Sequence, residues 1–274
     1  MVRDHFNHDA SILKSKRLWL FDMDGTIYEE NNLFEGTLEL LSYIKEHDGR
    51  YIFITNNSSK SLNDYIKKVT RLGIPANEDN FFTSSQAMIL FLKEKYPEEK
   101  VYCQGTRSLL KEMVDSEINV TEKVDDDVSI VVVGFDTELT SEKLRNTCSL
   151  LQRNIPFIAT NCDLRCPVSF GYIPDCGSIC QMITNATGKK PIFIGKPEPT
   201  MVEYVIKKYN YKKEDVVVVG DRLYTDIATG NNAGVTSVCV LTGEATVDEI
   251  SSSTVKPTFT FNSINDIKNG LEVL

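Results

Sequence analysis

The chain has 274 residues, enough for one large domain or two modest ones, and its 41% hydrophobic and 25% charged residues are typical of a soluble globular protein. Thirty basic residues against 39 acidic ones give a net charge of −9, with no dense Lys/Arg stripe, which disfavours nucleic acids and anionic membranes as partners. No apolar run reaches the ~20 residues of a membrane helix, and charged residues and histidines interrupt residues 1–16, where a signal peptide would be apolar, so a cytoplasmic location is expected.

Strand-like and helix-like segments alternate along the chain. The helical segments have apolar residues recurring every three or four positions, at 37–47, 62–73, 141–154 and 200–210. The strand-like runs fall at 18–24, 51–56, 101–105, 129–135, 156–161, 191–195, 216–221, 236–241 and 258–261. Most of these runs are continuously apolar, as strands buried on both faces of a parallel sheet are. The sequence therefore predicts an α/β protein with a Rossmann-like, doubly wound parallel sheet.

Polar residues follow several of these strands. In such sheets, ligands bind outside the carboxyl ends of the strands, so these positions are candidates for a functional site. The residues concerned are Asp22, Asp24, Thr55, Asn56, Asn57, Lys196, Asp221 and Asp226. Two aspartates separated by one residue would repel each other by about 4 kcal/mol at a separation of about 4 Å and an effective dielectric constant near 20. A cation is therefore expected beside Asp22 and Asp24.

These residue types suit one chemistry. Asp22, Asp24 and Asp221 form an all-oxygen set, which suits a hard cation such as Mg²⁺ that leaves positions for water and phosphate oxygens. Lys196 can neutralise remaining negative charge, and Thr55 with the backbone amides near Asn56 and Asn57 can hold phosphate oxygens. Taken singly, Asn56, Asn57 and Asp226 also fit turn-forming or helix-capping roles.

The ordered segments DMDGT, TNN, GKP and GDRLYTD, between residues 22 and 226, resemble the four motifs of the haloacid-dehalogenase-like hydrolase superfamily. Most members of that superfamily are magnesium-dependent phosphatases. The resemblance implies that Asp22 attacks phosphorus to form an aspartyl phosphate, and that Asp24 protonates the leaving oxygen and then activates water. Dehalogenating members lack the second aspartate of the first motif, so Asp24 favours phosphate esters.

The resemblance also implies the ligands of Mg²⁺. Asp22 would bind the ion through its side chain, Asp24 through its backbone carbonyl, and Asp221 would complete the protein ligands. Asp226 matches a second acidic position that more often acts through water or by orienting Lys196.

About a hundred residues separate the second and third motifs, too many for a loop. The predicted organisation is a core domain of residues 1–82 and 185–274 with an inserted cap domain of residues 83–184. The insertion resembles the large α/β cap of the 4-nitrophenyl-phosphatase-like (NagD-like) branch, whose members act on sugar phosphates, nucleoside monophosphates, phosphoglycolate or pyridoxal phosphate. Caps of this type often form dimer contacts, so the resemblance implies a homodimer through the cap.

Within the cap, the segment ATNCDLRCPVSFGYIPDCGS resembles the branch pattern ATN-x-D…P…G…P-G-x-GS. Asn161 and Asp163 would be the cap residues that face the core site and contact substrate. Cys162 stands where the branch usually has Pro, and PDCGS replaces PGNGS, so the loop and its substrate preference depart from the pattern. A capping or turn-forming role is the alternative for Asp163.

The seven cysteines are an odd number, as expected of reduced thiols. Four of them form C-x3-C-x9-C-x3-C at Cys162, Cys166, Cys176 and Cys180, which raises the alternative of a zinc site. The usual two-residue spacing is missing, so buried structural thiols are favoured. The predicted function is Mg²⁺-dependent hydrolysis of small phosphorylated metabolites; the alternatives are a phosphotransferase or mutase on the same scaffold and a non-catalytic regulatory protein.

Overall fold

The computed structural model describes residues 1–168 and 170–272. Contacts divide the chain into two compact units. The first comprises Met1–Thr55, Tyr65–Phe82 and Lys196–Leu274, and the second comprises Asn56–Asp64 and Thr83–Gly195. The second unit extends to Gly195, beyond the predicted division between residues 184 and 185, because the strand at residues 192–193 pairs with another strand of that unit.

In chain order, the helices are α1 (Thr37–Glu46), α2 (Leu62–Arg71), α3 (Ser84–Lys95), α4 (Arg107–Asp115), α5 (Ser141–Leu151), α6 (Cys176–Thr187), α7 (Thr200–Tyr209), α8 (Ala228–Ala233), α9 (Val247–Ser252) and α10 (Ile264–Glu272). The strands are β1 (Leu18–Phe21), β2 (Tyr28–Glu29), β3 (Asn32–Leu33), β4 (Arg50–Thr55), β5 (Phe81–Thr83), β6 (Lys100–Gln104), β7 (Val120–Thr121), β8 (Val128–Val133), β9 (Phe157–Ala159), β10 (Arg165–Val168), β11 (Gly171–Pro174), β12 (Ile192–Phe193), β13 (Val216–Gly220), β14 (Thr236–Val240) and β15 (Phe259–Phe261).

The first unit is built on a six-stranded sheet of order β15-β14-β13-β1-β4-β5. Strand β1 is parallel to both of its neighbours, with Phe21 opposite Val219 of β13 and opposite Phe53 of β4. The four residues of β1 and the first four of β13 are fully buried apolar side chains, which explains their unbroken apolar sequence. This register places the carboxyl ends of β13, β1 and β4 side by side.

The second unit has its own five-stranded sheet of order β12-β9-β8-β6-β7, and every pair in it is parallel. Its core includes Val131 and Val133 of β8, packed with Leu150 of α5 and Ile179 of α6. A separate antiparallel hairpin is formed by β10 and β11. The inserted segment is therefore an α/β unit, as the sequence predicts.

All nine predicted strand runs contain a strand, but several end early. The predicted strand at 18–24 stops at Phe21, because Thr26 and Ile27 donate backbone hydrogen bonds to the carbonyl of Met23 and Gly25 has a φ of +84°. Asp24 thus lies in a turn beyond the end of the strand, so strand geometry does not hold its side chain beside that of Asp22. The sequence pattern did not predict the short strands β2, β3, β5, β7, β10 and β11.

Across the described parts of the chain, none of the helices combines the length and apolarity needed to cross a membrane.

Candidate active site

Three carboxylates meet at the carboxyl edge of the first unit's sheet. Asp22 follows β1, Asp221 follows β13, and Asp226 lies in a single π-helical turn, Leu223–Ile227, just beyond. One oxygen from each carboxylate lies within 4.8 Å of the others. Asp221 and Asp226 are buried and Asp22 is partly exposed, so the cluster has one side open. Two motifs almost 200 residues apart in sequence thus form one site.

Lys196 supplies a cation to this cluster. Its Nζ atom donates hydrogen bonds to Asp22 Oδ1 at 2.6 Å and to Asp226 Oδ1 at 2.7 Å, and the residue is 3% exposed. Burial acts to lower the pKa of Lys196, but the carboxylates of Asp22 and Asp226 outweigh it and raise the pKa above its usual value. The lysine is therefore charged, and it offsets part of the negative charge of the three aspartates.

Asp221 is held by groups other than the lysine. Thr26 Oγ1 donates to Asp221 Oδ1 at 3.2 Å, and the backbone N–H of Glu244 donates to Oδ2 at 2.8 Å. A Cβ atom on Gly25 or Gly243 would collide with this carboxylate, so both glycines allow the backbone to approach it. Burial, followed by the charge of Asp22, raises the pKa of Asp221 to about 6.

Asp226 has both oxygens occupied. Oδ1 accepts from Lys196, and Oδ2 accepts from the backbone N–H of Arg222 at 3.1 Å. Burial raises the pKa of Asp226 to about 7, although Lys196 opposes the shift. This arrangement agrees with the idea that Asp226 orients the lysine, but a direct metal contact stays a prediction.

Asp24 lies outside the carboxylate cluster. Its side chain is 59% exposed, Oδ1 is 3.1 Å from Lys68 Nζ, and Oδ2 accepts a hydrogen bond from the Tyr28 hydroxyl at 3.2 Å. The expected repulsion between Asp22 and Asp24 is thus relieved by a separate lysine for each residue. Because the Asp24 side chain is engaged by Lys68 and Tyr28, the backbone carbonyl is the group of Asp24 that would bind a metal ion. That contact stays a prediction.

The predicted phosphate-binding residues after β4 occupy different surroundings. Thr55 is the buried last residue of β4. Asn56 belongs to the second unit, where its Nδ2 atom donates to Asp163 Oδ2 at 2.6 Å. Asn57 accepts hydrogen bonds from the N–H and hydroxyl of Ser59, which is a turn-forming pattern.

The two predicted cap residues lie in a buried polar network of the second unit. Asn161 is fully buried, and its Nδ2 atom donates to Asp163 Oδ2 at 2.8 Å and to Asp175 Oδ1 at 3.0 Å. Asp175 is in turn the N-cap of α6. These bonds favour the loop-shaping alternative for Asp163, and substrate contact by Asn161 or Asp163 stays a prediction.

Besides Thr26, sequence reasoning missed four residues that hold the candidate site. Tyr28 and Lys68 contact Asp24, while Arg222 and Glu244 hold Asp226 and Asp221 through backbone N–H groups. The Nε atom of Arg222 also pairs with Glu244 Oε2 at 3.1 Å. Arg222 lies inside the recognised GDRLYTD segment, but Glu244 and Lys68 carry no local signal, because only the fold brings them to the carboxylates.

The donor set fits a divalent cation. Within residues 1–168 and 170–272, the three aspartates are the one group of three acidic, histidine or cysteine side chains with ligand atoms this close. Carboxylate oxygens are the ligands that hard divalent cations prefer. The seven cysteines are thiols outside any disulfide, and Cys176 and Cys180 lie buried in α6 with sulfur atoms 4.0 Å apart. The zinc alternative is not supported.

A parallel α/β sheet with clustered aspartates and a buried lysine at its carboxyl edge has the charged groups that hydrolysis or transfer of a phosphoryl group requires. Family models described as "Haloacid dehalogenase-like hydrolase" and "HAD-hyrolase-like" match residues 19–119 and 193–267. An acid sugar phosphatase of Staphylococcus saprophyticus is 34% identical over 260 residues, covering 95% of this chain and 100% of the relative. The chain belongs to the haloacid dehalogenase-like hydrolase family, and the predicted family is confirmed.

Solved structures of related phosphatases share the fold of this chain. A 4-nitrophenylphosphatase from Thermotoga maritima has a TM-score of 0.91 and 36% identity, covering 97% of this chain and 100% of that one. A glycerol phosphate phosphatase from Mycobacterium tuberculosis, solved in complex with magnesium, has a TM-score of 0.87 and 27% identity, covering 94% of this chain and 78% of that one. The predicted α/β fold class is confirmed by these neighbours.

Proposed function

We propose that this protein is a Mg²⁺-dependent phosphatase that hydrolyses small phosphomonoesters through an aspartyl-phosphate intermediate. The observation that carries the proposal is the cluster of Asp22, Asp221 and Asp226 around Lys196. The acid sugar phosphatase, 4-nitrophenylphosphatase and glycerol phosphate phosphatase named above support the same reaction class. Sugar phosphates and nucleoside monophosphates are the proposed substrates.

The proposed metal ligands are the side chains of Asp22 and Asp221 and the backbone carbonyl of Asp24, with Asp226 contributing through water or through Lys196. When bound, Mg²⁺ supplies positive charge that lets a phosphate dianion approach a site rich in carboxylates. Two observations support this assignment: the all-oxygen donor set, and the excess of negative charge that three aspartates leave beside the cations of Lys196 and Arg222.

The chemistry itself falls to the chain's own residues. An oxygen of Asp22 attacks phosphorus while the bond from phosphorus to the ester oxygen breaks, and Asp24 gives its proton to that oxygen. Asp24 then takes a proton from water as the water oxygen bonds to phosphorus and the Asp22–phosphate bond breaks. Lys196 and Thr55, with backbone amides at Asn56 and Asn57, would hold the phosphate oxygens.

The second unit is proposed to act as a cap that selects the leaving group, with Asn161 and Asp163 fixing or contacting that end of the substrate. We further propose a cytoplasmic location and no nucleic-acid or membrane partner, which the net charge of −9 supports. A homodimer through the cap is also proposed, and the exposed aromatic side chains of Phe170 and Tyr172 at the β10–β11 hairpin support it. Light scattering of the purified protein tests the dimer.

The test of function is hydrolysis of 4-nitrophenyl phosphate with and without Mg²⁺. We expect turnover with Mg²⁺, none after chelation, and none for Asp22→Asn, while the exposed-site control Asp48→Asn keeps the wild-type rate. Near-normal turnover by Asp22→Asn would refute the nucleophile assignment.

The phosphotransferase alternative is separated by its product. We expect free inorganic phosphate in the presence of an added sugar acceptor. Transfer of the phosphoryl group to that acceptor as the main product would favour the transferase, and an inactive wild type binding metal and phosphate would favour the regulatory alternative.

A further inference from the structure

Asp24 sits in a fixed polar seat made by two residues that no motif includes. Its Oδ2 atom accepts from the Tyr28 hydroxyl at 3.2 Å, and its Oδ1 atom is 3.1 Å from Lys68 Nζ. The seat is itself tied together, because Lys68 Nζ lies 3.9 Å from the centre of the Tyr28 ring. Each carboxylate oxygen of Asp24 thus has its own donor.

The residues of the seat are anchored in the first unit although Asp24 is exposed. Tyr28 is fully buried, and the turn that joins it to Asp24 is closed by a backbone hydrogen bond from Gly25 N–H to the Tyr28 carbonyl at 2.9 Å. Lys68 projects from α2, whose Tyr65 and Val69 are buried, and only 23% of its side chain is exposed. Burial raises the pKa of Tyr28 well above its usual value, with Asp24 adding to the shift, so its hydroxyl remains a donor. The fold of the first unit therefore holds the two donors, Tyr28 and Lys68, at the Asp24 carboxylate.

We propose that Lys68 and Tyr28 are positioning residues for proton transfer by Asp24, and that their contribution grows with the basicity of the leaving group. This inference rests on the proposed function. When Asp24 gives its proton to the ester oxygen, that oxygen takes the electron pair of the breaking bond to phosphorus, and the Asp24 carboxylate becomes negative. Lys68 and the Tyr28 hydroxyl keep the carboxyl group of Asp24 in one orientation, which is the contribution that proton transfer to a basic leaving group requires.

The leaving group provides the discriminating measurement. An alkyl phosphate such as glycerol phosphate must leave as an alcohol and needs the proton, whereas 4-nitrophenolate is a stable anion and leaves without one. The parameter kcat/KM covers only the steps up to release of the leaving group, so the hydrolysis of the common aspartyl phosphate does not enter it. A loss of positioning therefore lowers kcat/KM for the alkyl ester much more than for the aryl ester.

The experiment compares both substrates in Lys68→Met, Lys68→Arg and Tyr28→Phe. For Lys68→Met we expect kcat/KM on glycerol phosphate to fall on the order of a hundredfold and on 4-nitrophenyl phosphate by no more than about threefold. Tyr28→Phe keeps the ring and should give a smaller loss in the same direction, about tenfold on the alkyl ester. Lys68→Arg keeps the charge and should recover most of the alkyl activity. The matched control is Lys67→Met, the exposed neighbour on α2, which should match wild type on both substrates.

Equal losses on the two substrates would overturn the proposal, because they would indicate a general effect on the active site. No loss on either substrate in a folded Lys68→Met would also overturn it. If Lys68→Met fails to fold, Tyr28→Phe and Lys68→Arg decide by the same ratio. A wild type that hydrolyses neither ester with Mg²⁺ would overturn the proposed function as well, so the two failures are distinct.

Discussion

The acidic cluster should make the metal-free protein less stable than a variant that lacks one of its aspartates. Asp221 is the aspartate to change, because Lys196 donates hydrogen bonds to Asp22 and Asp226, whereas Asp221 accepts hydrogen bonds from Thr26 and from the backbone N–H of Glu244. Asp221→Asn keeps the size of the side chain and removes its charge. We expect a higher free energy of unfolding for the variant at neutral pH without metal.

The magnitude follows from the geometry. Two unit charges 4.8 Å apart, the outer limit of the cluster, repel by about 3.5 kcal/mol at an effective dielectric constant of about 20. The rise in the pKa of Asp221 from 3.8 to about 6 corresponds to about 3 kcal/mol, with burial as its larger cause and the charge of Asp22 as the second. An amide accepts the hydrogen bonds from Thr26 and Glu244 less well, at a cost of about 1 kcal/mol. The expected net gain is about 1–3 kcal/mol.

The gain should depend on pH in a defined direction. Because the folded-state pKa of Asp221 is raised, folded wild type binds a proton more tightly than the unfolded chain does. Wild-type stability contributed by this group is complete below about pH 4 and is lost as pH rises to about 6. The advantage of Asp221→Asn should therefore be absent at about pH 4 and greatest above about pH 7.

Fluorescence of the single tryptophan measures this directly. Trp19 is buried in β1, next to the site, so its emission reports unfolding of the first unit during a urea titration. Added Mg²⁺ should stabilise wild type and leave Asp221→Asn almost unchanged. Asp48→Asn is the exposed control. A variant less stable than wild type at neutral pH without metal, or an advantage that does not vary with pH, would refute the electrostatic reasoning.

Two further substitutions test the site. Lys196→Met should lower 4-nitrophenyl phosphate turnover on the order of a thousandfold, because it removes a buried cation that contacts the Asp22 carboxylate. Lys196→Arg should recover little of that activity, because the larger guanidinium does not fit the same pocket. A rate within about tenfold of wild type for Lys196→Met would contradict this expectation. Gly243→Ala places a methyl group against the Asp221 carboxylate. It should raise the Mg²⁺ concentration needed for half-maximal thermal stabilisation by about 10–100-fold. An unchanged Mg²⁺ dependence would mean that the backbone at residue 243 moves to accommodate the methyl group.

Much of the fold could be predicted because burial leaves a local trace. The runs at 18–21 and 216–219 are continuously apolar since both faces of those strands are covered, and helices such as α7 repeat apolar residues at the helical period. The short strands β2 and β7 left no such trace, because two residues are too few to form a pattern. The end of β1 was placed three residues late, because the turn at Met23 depends on backbone hydrogen bonds that the apolar pattern does not record.

The sequence by itself was enough to predict the candidate residues: the motif segments contain the aspartates at 22, 24, 221 and 226 and the lysine at 196. Only the tertiary structure decided how they are paired. It separated Asp24 from the other carboxylates and gave it Lys68 and Tyr28, and it brought Glu244 to Asp221. The physical reason is that charge pairing depends on distances of 3–4 Å between atoms of distant segments, which strand register and turn geometry fix and which sequence spacing does not encode.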